Sequence, residues 1–139
     1  MVSRVLVPMD DSEMAERALE YALEVHDDAD VTVLNVVGVP SPFMGEAVSI
    51  ALEEDVEEAA ARRAVAVLDR AEELAAERGR EIDTDVDVGR PARAIVERAD
   101  DFDVVVLGSH GGDAMDRLYV GNVAKTVFER SPVPVTVVR

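Results

Sequence analysis

Three glycines stand at the spacing Gly108-x2-Gly111-x9-Gly121. The stretch opens where an apolar run, Val104 to Leu107, stops, and it closes where a second apolar pattern begins. Glycine lets a backbone come close to an anion, and the first N–H groups of a helix have no intrahelical partner and carry partial positive charge. Together these suit phosphate. The spacing is neither that of a Walker A loop nor G-x-G-x-x-G. A strand-to-helix loop also needs glycine simply to turn, so spacing alone leaves a turn and a phosphate cradle both open. Ser109 inside the stretch and Asn122 just after it add hydrogen-bond donors, and Asp10, an acceptor-only carboxylate, follows the first apolar run.

Other chemistry has less support. His110 neighbours the glycines and reads as an exposed loop residue before a catalytic one, while His26, near a helix end, complements the dipole. The chain has two histidines and no cysteine, which excludes disulfides, thiolate nucleophiles and Cys-based metal sites. Asp113 and Asp116 stand near Arg117, so they either pair with it or face a phosphate-bound magnesium ion. Arg90 and Arg93 lie near a strand end within reach of phosphate, although Glu97 is the natural helix-surface partner of Arg93. No Ser-His-Asp order can be argued.

Thirty acidic residues face fourteen basic ones in 139, a formal net charge of −16, and Lys125 is the lone lysine beside the arginines. Nucleic acid and anionic lipid both need a basic footprint, so neither is an expected partner. Such a surface suits concentrated salt, which screens self-repulsion to within ~3 Å at 1 M; the composition resembles that of haloarchaeal proteins. No apolar run reaches the ~18 residues that cross a bilayer. The opening MVSRVLVPMDDS lacks the features of a secretion signal, so a cytoplasmic location is expected.

The elements that would position these residues alternate. Val2 to Pro8 is a short β-branched run, and Asp10-Asp11-Ser12 starts a helix over about 12–26 with Met14, Ala15, Ala18, Leu19, Ala22 and Leu23 on one stripe. Val31 to Val37 reads as a strand buried on both faces. Residues 38–45 read as a loop, and about 46–78 as a long helix stopped by Gly79. Ile82 to Val88 alternates apolar and acidic residues, as an edge strand does. Gly89-Arg90-Pro91 opens a helix with Ala92, Ile95, Val96 and Ala99 inward, and Asp103 to Leu107 follows as a strand. Val120, Val123, Ala124, Val127 and Phe128 form a last helix face, and Val133 to Val138 a last strand, with Pro132 and Pro134 leaving one edge poor in donors. The order βαβαβαβαβ predicts a single α/β domain, residues 1–139, with a parallel sheet covered on both faces. In such sheets ligands bind at the carboxyl ends of the strands, here Pro8-Met9-Asp10, Val36-Val37 and Leu107-Gly108.

The stretches VSRVLVPMDDSEMAERALEYA, GRPARAIVERADDFDVVVLGSHGG and VGNVAKTVFERSPVPVTVV resemble universal stress protein domains. The likeness covers nearly all of the chain and is weakest over 38–80. Gly108, Gly111 and Gly121 fit the G-x2-G-x9-G pattern of the family's nucleotide-binding branch, which continues with Ser or Thr; here Asn122 stands instead. The resemblance implies an open doubly wound, Rossmann-like five-stranded sheet of order 3-2-1-4-5. It implies that ATP, or AMP or ADP, with or without magnesium, is held by Pro8, Asp10, Val36, Leu107, Gly108, Ser109, His110, Gly111, Gly121, Asn122 and Val123. Asp10 would meet the ribose, Val36 the adenine, and the glycine loop with the following helix the phosphates. It further implies a homodimer through the C-terminal strand and a regulatory stress-response role set by nucleotide occupancy. The alternatives are a dimeric interaction module without nucleotide, or a slow ATPase.

Overall fold

A computed structural model describes residues 1–38, 46–109 and 121–139. Along the chain run β1 (Arg4–Pro8), α1 (Glu13–Val25), β2 (Asp30–Val37), α2 (Glu46–Glu77), β3 (Asp83–Val88), α3 (Pro91–Ala99), β4 (Val104–Gly108), α4 (Asn122–Arg130) and β5 (Val135–Val138). All strand pairings are parallel and the order is β3-β2-β1-β4-β5, as the resemblance implied. The chain steps outward from β1 to β3, then returns to β1's other side for β4 and β5. Helices α1 and α2 therefore cover one face, and α3 and α4 the other.

Alternate strand residues face opposite sides, so β1 feeds two cores. Val5 and Val7 pack with Leu19, Val33, Val67 and Val106 on the α1–α2 side. Leu6 packs with Leu34, Ile95, Val105 and Val127 on the other. Each of these side chains is almost fully buried, worth roughly 1.5–3 kcal/mol apiece relative to exposure.

Helix ends are set locally. Ser12 Oγ accepts the Ala15 N–H at 3.2 Å and caps α1. Gly79, at φ 65°, ends α2 in a Schellman turn: its N–H meets Ala76 C=O at 3.0 Å, and Arg80 N–H meets Ala75 C=O at 2.9 Å. The turn sends the Arg80 guanidinium to the end of α1 and the turn after it, with Nη1 donating to Leu23 C=O at 2.6 Å and Nη2 to Ala29 C=O at 2.8 Å. The last turn of α1 holds no basic residue, so Arg80 supplies the complementary charge there, while His26 is the C-cap through its own N–H.

Three sequence expectations are corrected. Phe128 is 66% exposed and Val123 40%; the inward face of α4 is Ala124 and Val127, and Phe128 lies about 100° of helical rotation beyond Val127. Met14 is half-buried, outside the α1 stripe. Pro134 does not blunt the free edge of β5. Its C=O accepts from Val105 N–H at 3.0 Å, so it faces β4, and the outward N–H groups belong to Val135 and Val137. The expected loop over 38–45 lies, from residue 39 on, outside the described residues, as do Val120, Asp113, Asp116 and Arg117.

Gly108 has a packing role. A Cβ there would sit 2.7 Å from both the carbonyl carbon and the oxygen of Met14, in the first turn of α1. Gly108→Ala is therefore expected to destabilise the chain by about 1–3 kcal/mol, the usual cost of overpacking against a rigid neighbour; a denaturant midpoint equal to the parent's would contradict this. At the opposite end of the sheet, one Asp103 oxygen accepts Ser3 N–H at 2.8 Å and Arg4 N–H at 2.9 Å, tying β4 to β1. The Ser3 N–H, then the Arg4 N–H, hold its carboxyl below the ordinary range, so the ionised form favours the fold. That contribution is complete above about pH 3.9, the unfolded aspartate value, and vanishes as pH falls through the lowered one. Asp103→Ala is expected to lower the thermal midpoint at pH 7, with the gap to the parent closing as pH drops below 3.9.

Candidate functional site

The reversal of chain direction at β1 opens a crevice at the carboxyl ends of the strands. A cavity of about 400 Å³ lies there, walled by the ends of β1, β2 and β4 and by the first turns of α3 and α4. Its floor begins at Met9, whose N–H donates to Leu34 C=O at 2.9 Å while its C=O accepts from Asn35 Nδ2 at 2.9 Å. Gripped twice by β2, Met9 fixes the direction of Asp10. One Asp10 oxygen accepts Ser12 N–H at 2.9 Å. The other has no hydrogen-bond partner among the described residues, and Asp10 lines the cavity.

The opposite wall hangs on Ser109, which is almost fully buried. Its N–H donates to Val138 C=O at 2.8 Å, and its C=O accepts Gly121 N–H at 2.5 Å. The two ends of the glycine stretch are thus joined by one hydrogen bond. Gly121 caps α4 without a side chain, and Lys125 N–H is the first to bond back to it, at 2.8 Å. The N–H groups of Asn122, Val123 and Ala124 meet no acceptor among the described residues, and all three residues line the cavity. Amides at a helix N-terminus that lack intrahelical partners are the groups from which anion sites are built.

Nine of the eleven candidate residues line this cavity: Pro8, Asp10, Val36, Leu107, Gly108, Ser109, Gly121, Asn122 and Val123. His110 and Gly111 lie outside the described residues. Leu34, Val36, Leu107 and Ile95 give the cavity an apolar side, and Asp10 is the one ionisable group on its described walls. Among the described residues no three His, Asp or Glu side chains gather as a metal site. Arg93 pairs with Glu97 at 3.0 Å on the surface of α3.

Sequence reasoning missed Asn35, Pro91 and Ile95. Asn35 carried a signal: a carboxamide inside the run VTVLNVV must be buried, and a buried amide needs a partner. Pro91 and Ile95 were read only as a helix start and a core position; they reach the cavity because α3 begins beside the end of β2.

The family model of the universal stress proteins matches residues 1–139. A universal stress protein of Methanocaldococcus jannaschii is 31% identical, the alignment covering 100% of this chain and 83% of that one. The structure of UspA from Lactobacillus plantarum aligns at TM-score 0.82 with 28% identity, over 99% of this chain and 98% of the other. That of a universal stress protein in complex with cAMP aligns at TM-score 0.72 with 26% identity, over 99% and 97%. With fold, strand order and full-length likeness in agreement, the chain belongs to the universal stress protein family.

Proposed function

We propose that the chain binds an adenine nucleotide in the crevice and serves as a homodimeric stress-response module whose surface changes with occupancy. The observation that carries this reading is the presence, around one cavity, of an Asp10 oxygen and three amides of α4 that have no hydrogen-bond partner among the described residues. An acceptor-only group suits the ribose hydroxyls, the amides suit phosphate, and the apolar wall at Val36 and Ile95 suits the base. The described walls hold one carboxylate and draw their positive potential from a helix terminus, so charge on the ligand is met by backbone rather than by a cation. Asn122 replaces a hydroxyl with a larger, planar amide at the first position of α4. A cAMP-bound relative at 26% identity supports the choice of ligand. ATP, ADP and AMP are the candidates, with magnesium tested alongside.

Retention fits the site better than turnover. Asp10 is already committed to Ser12 N–H and to the hydroxyl side of the cavity, which leaves it poorly placed as a base on attacking water. Phosphate release above that of a Gly121→Val control would favour the slow ATPase instead. The acidic surface fits the cytoplasm of a salt-accumulating cell, where counter-ions screen a net charge of −16.

Titration calorimetry in molar potassium chloride, with ATP, ADP and AMP and with and without magnesium, is expected to show one site per chain. Asp10→Ala should weaken binding by about tenfold, the weight of one charge-assisted hydrogen bond; no heat with any adenine nucleotide would remove the proposal. The dimer reading rests on the outward N–H groups of Val135 and Val137. Val137→Pro removes one of them without touching the ladder to β4, and should convert a two-chain mass in light scattering to a one-chain mass.

A further inference from the structure

The two edges of the sheet present opposite chemistry to a second strand. In β3 the Gly89 N–H donates inward to Val37 C=O at 2.9 Å, which fixes odd-numbered N–H groups toward β2 and turns those of Thr84, Val86 and Val88 outward. The last two are not left open. Val86 N–H donates to Asp85 Oδ1 at 2.8 Å, and Val88 N–H donates to Asp87 Oδ1 at 2.8 Å. Each of these two donors is taken by the carboxylate just before it, while Thr84 N–H, near the start of the strand, has no such acceptor among the described residues. Asp85 is held in place a second time by the Arg98 guanidinium of α3. At β5, by contrast, Val135 and Val137 face outward with no side-chain acceptor on their N–H groups among the described residues.

Without those carboxylates β3 would invite strand addition. Val86 is 43% exposed and Val88 67%, both are β-branched, and no proline interrupts the strand. We propose that β3 is an edge locked over its carboxyl-terminal half, at two of its three outward donors, by its own aspartates, which confines strand pairing between copies of this chain to β5 and closes assembly at two. The proposal rests on the dimer reading above for the β5 edge, while the lock on β3 stands on its own hydrogen bonds. With both edges open, each dimer would carry two further pairing edges and would grow into open-ended assemblies.

Paired substitutions separate the lock from simple charge repulsion. Asp85→Asn with Asp87→Asn removes both charges but keeps an acceptor oxygen at each site; Asp85→Ala with Asp87→Ala removes the acceptors as well. Light scattering over a concentration series should give the parent mass for the asparagine pair and a mass that climbs with concentration for the alanine pair. Amide exchange at Val86 and Val88 should be about fivefold faster in the alanine pair, the weight of one net hydrogen bond. Equal masses and equal exchange in the two pairs would overturn the lock, and growth in both would overturn it in favour of charge. A one-chain parent with growth confined to the alanine pair would sink the β5 reading and uphold the lock. Asp87→Ala alone spares the Arg98 contact. Should the alanine pair fail to fold, faster Val88 exchange in this single variant supports the lock, and parent-like exchange counts against it.

Discussion

Ser109 holds the carboxyl end of the sheet from both sides, and the rest of the site depends on it. Its N–H is spent on Val138, the last residue of β5, and its C=O on Gly121, the cap of α4. Both bonds are made where the side chain is almost fully buried, in surroundings that favour backbone pairs over competing water. The start of α4 is thereby positioned by the end of β4, and its first three residues, whose N–H groups meet no acceptor among the described residues, line the crevice. The same residue joins the crevice to the edge strand, so the cavity wall and the outer edge of the sheet share one backbone link.

The two glycines that bracket the stretch do different work. Gly108 lacks a side chain because the first turn of α1 occupies the space a Cβ would need. That contact lets α1 descend against the end of β4, and its N-terminal approach places Ser12 and Asp10 on the cavity rim. Gly121 sits at φ −62°, ψ 159°, a conformation open to any residue, so its backbone angles do not demand glycine. A spacing pattern treats the pair alike. One answers to helix packing, and only the other stands at the helix terminus where an anion would be met.

Much of the fold was legible because period and punctuation agreed. Alternating strand and helix patterns, Ser12, Gly79 and Pro91 marked the elements to within about two residues, the normal uncertainty of helix ends. The site was legible in outline because strand ends in a doubly wound sheet must converge. Three things were not. Phe128 is apolar and adjacent to a core position, and composition cannot tell Val127 from a neighbour rotated out of the core. Asn35 acts through a partner 26 residues away, Met9, which only strand order reveals. The direction in which Pro134 and Val135 point depends on pairing parity, and parity is a property of two strands together.

Parity also separates the acids that composition lumps together. A net charge of −16 reads as a solvated surface, yet aspartate and glutamate have divided the work. Asp10, Asp85, Asp87 and Asp103 each accept a backbone N–H, at Ser12, Val86, Val88, and Ser3 with Arg4. The described arginine pairs use Glu13, Glu16, Glu20, Glu73 and Glu97, with Asp85 the exception that does both. Arm length explains the division. A carboxylate one carbon from Cα reaches its own backbone one or two residues on, as at Asp10, Asp85 and Asp87, while Asp103 reaches the start of the neighbouring β1 instead. One carbon longer, a carboxylate clears the backbone and meets a guanidinium from a neighbouring turn or helix. Exposed pairs of the second kind are weak and fade in salt. Backbone caps of the first kind are short-range, and two of them stand where an unpaired strand edge would otherwise be open.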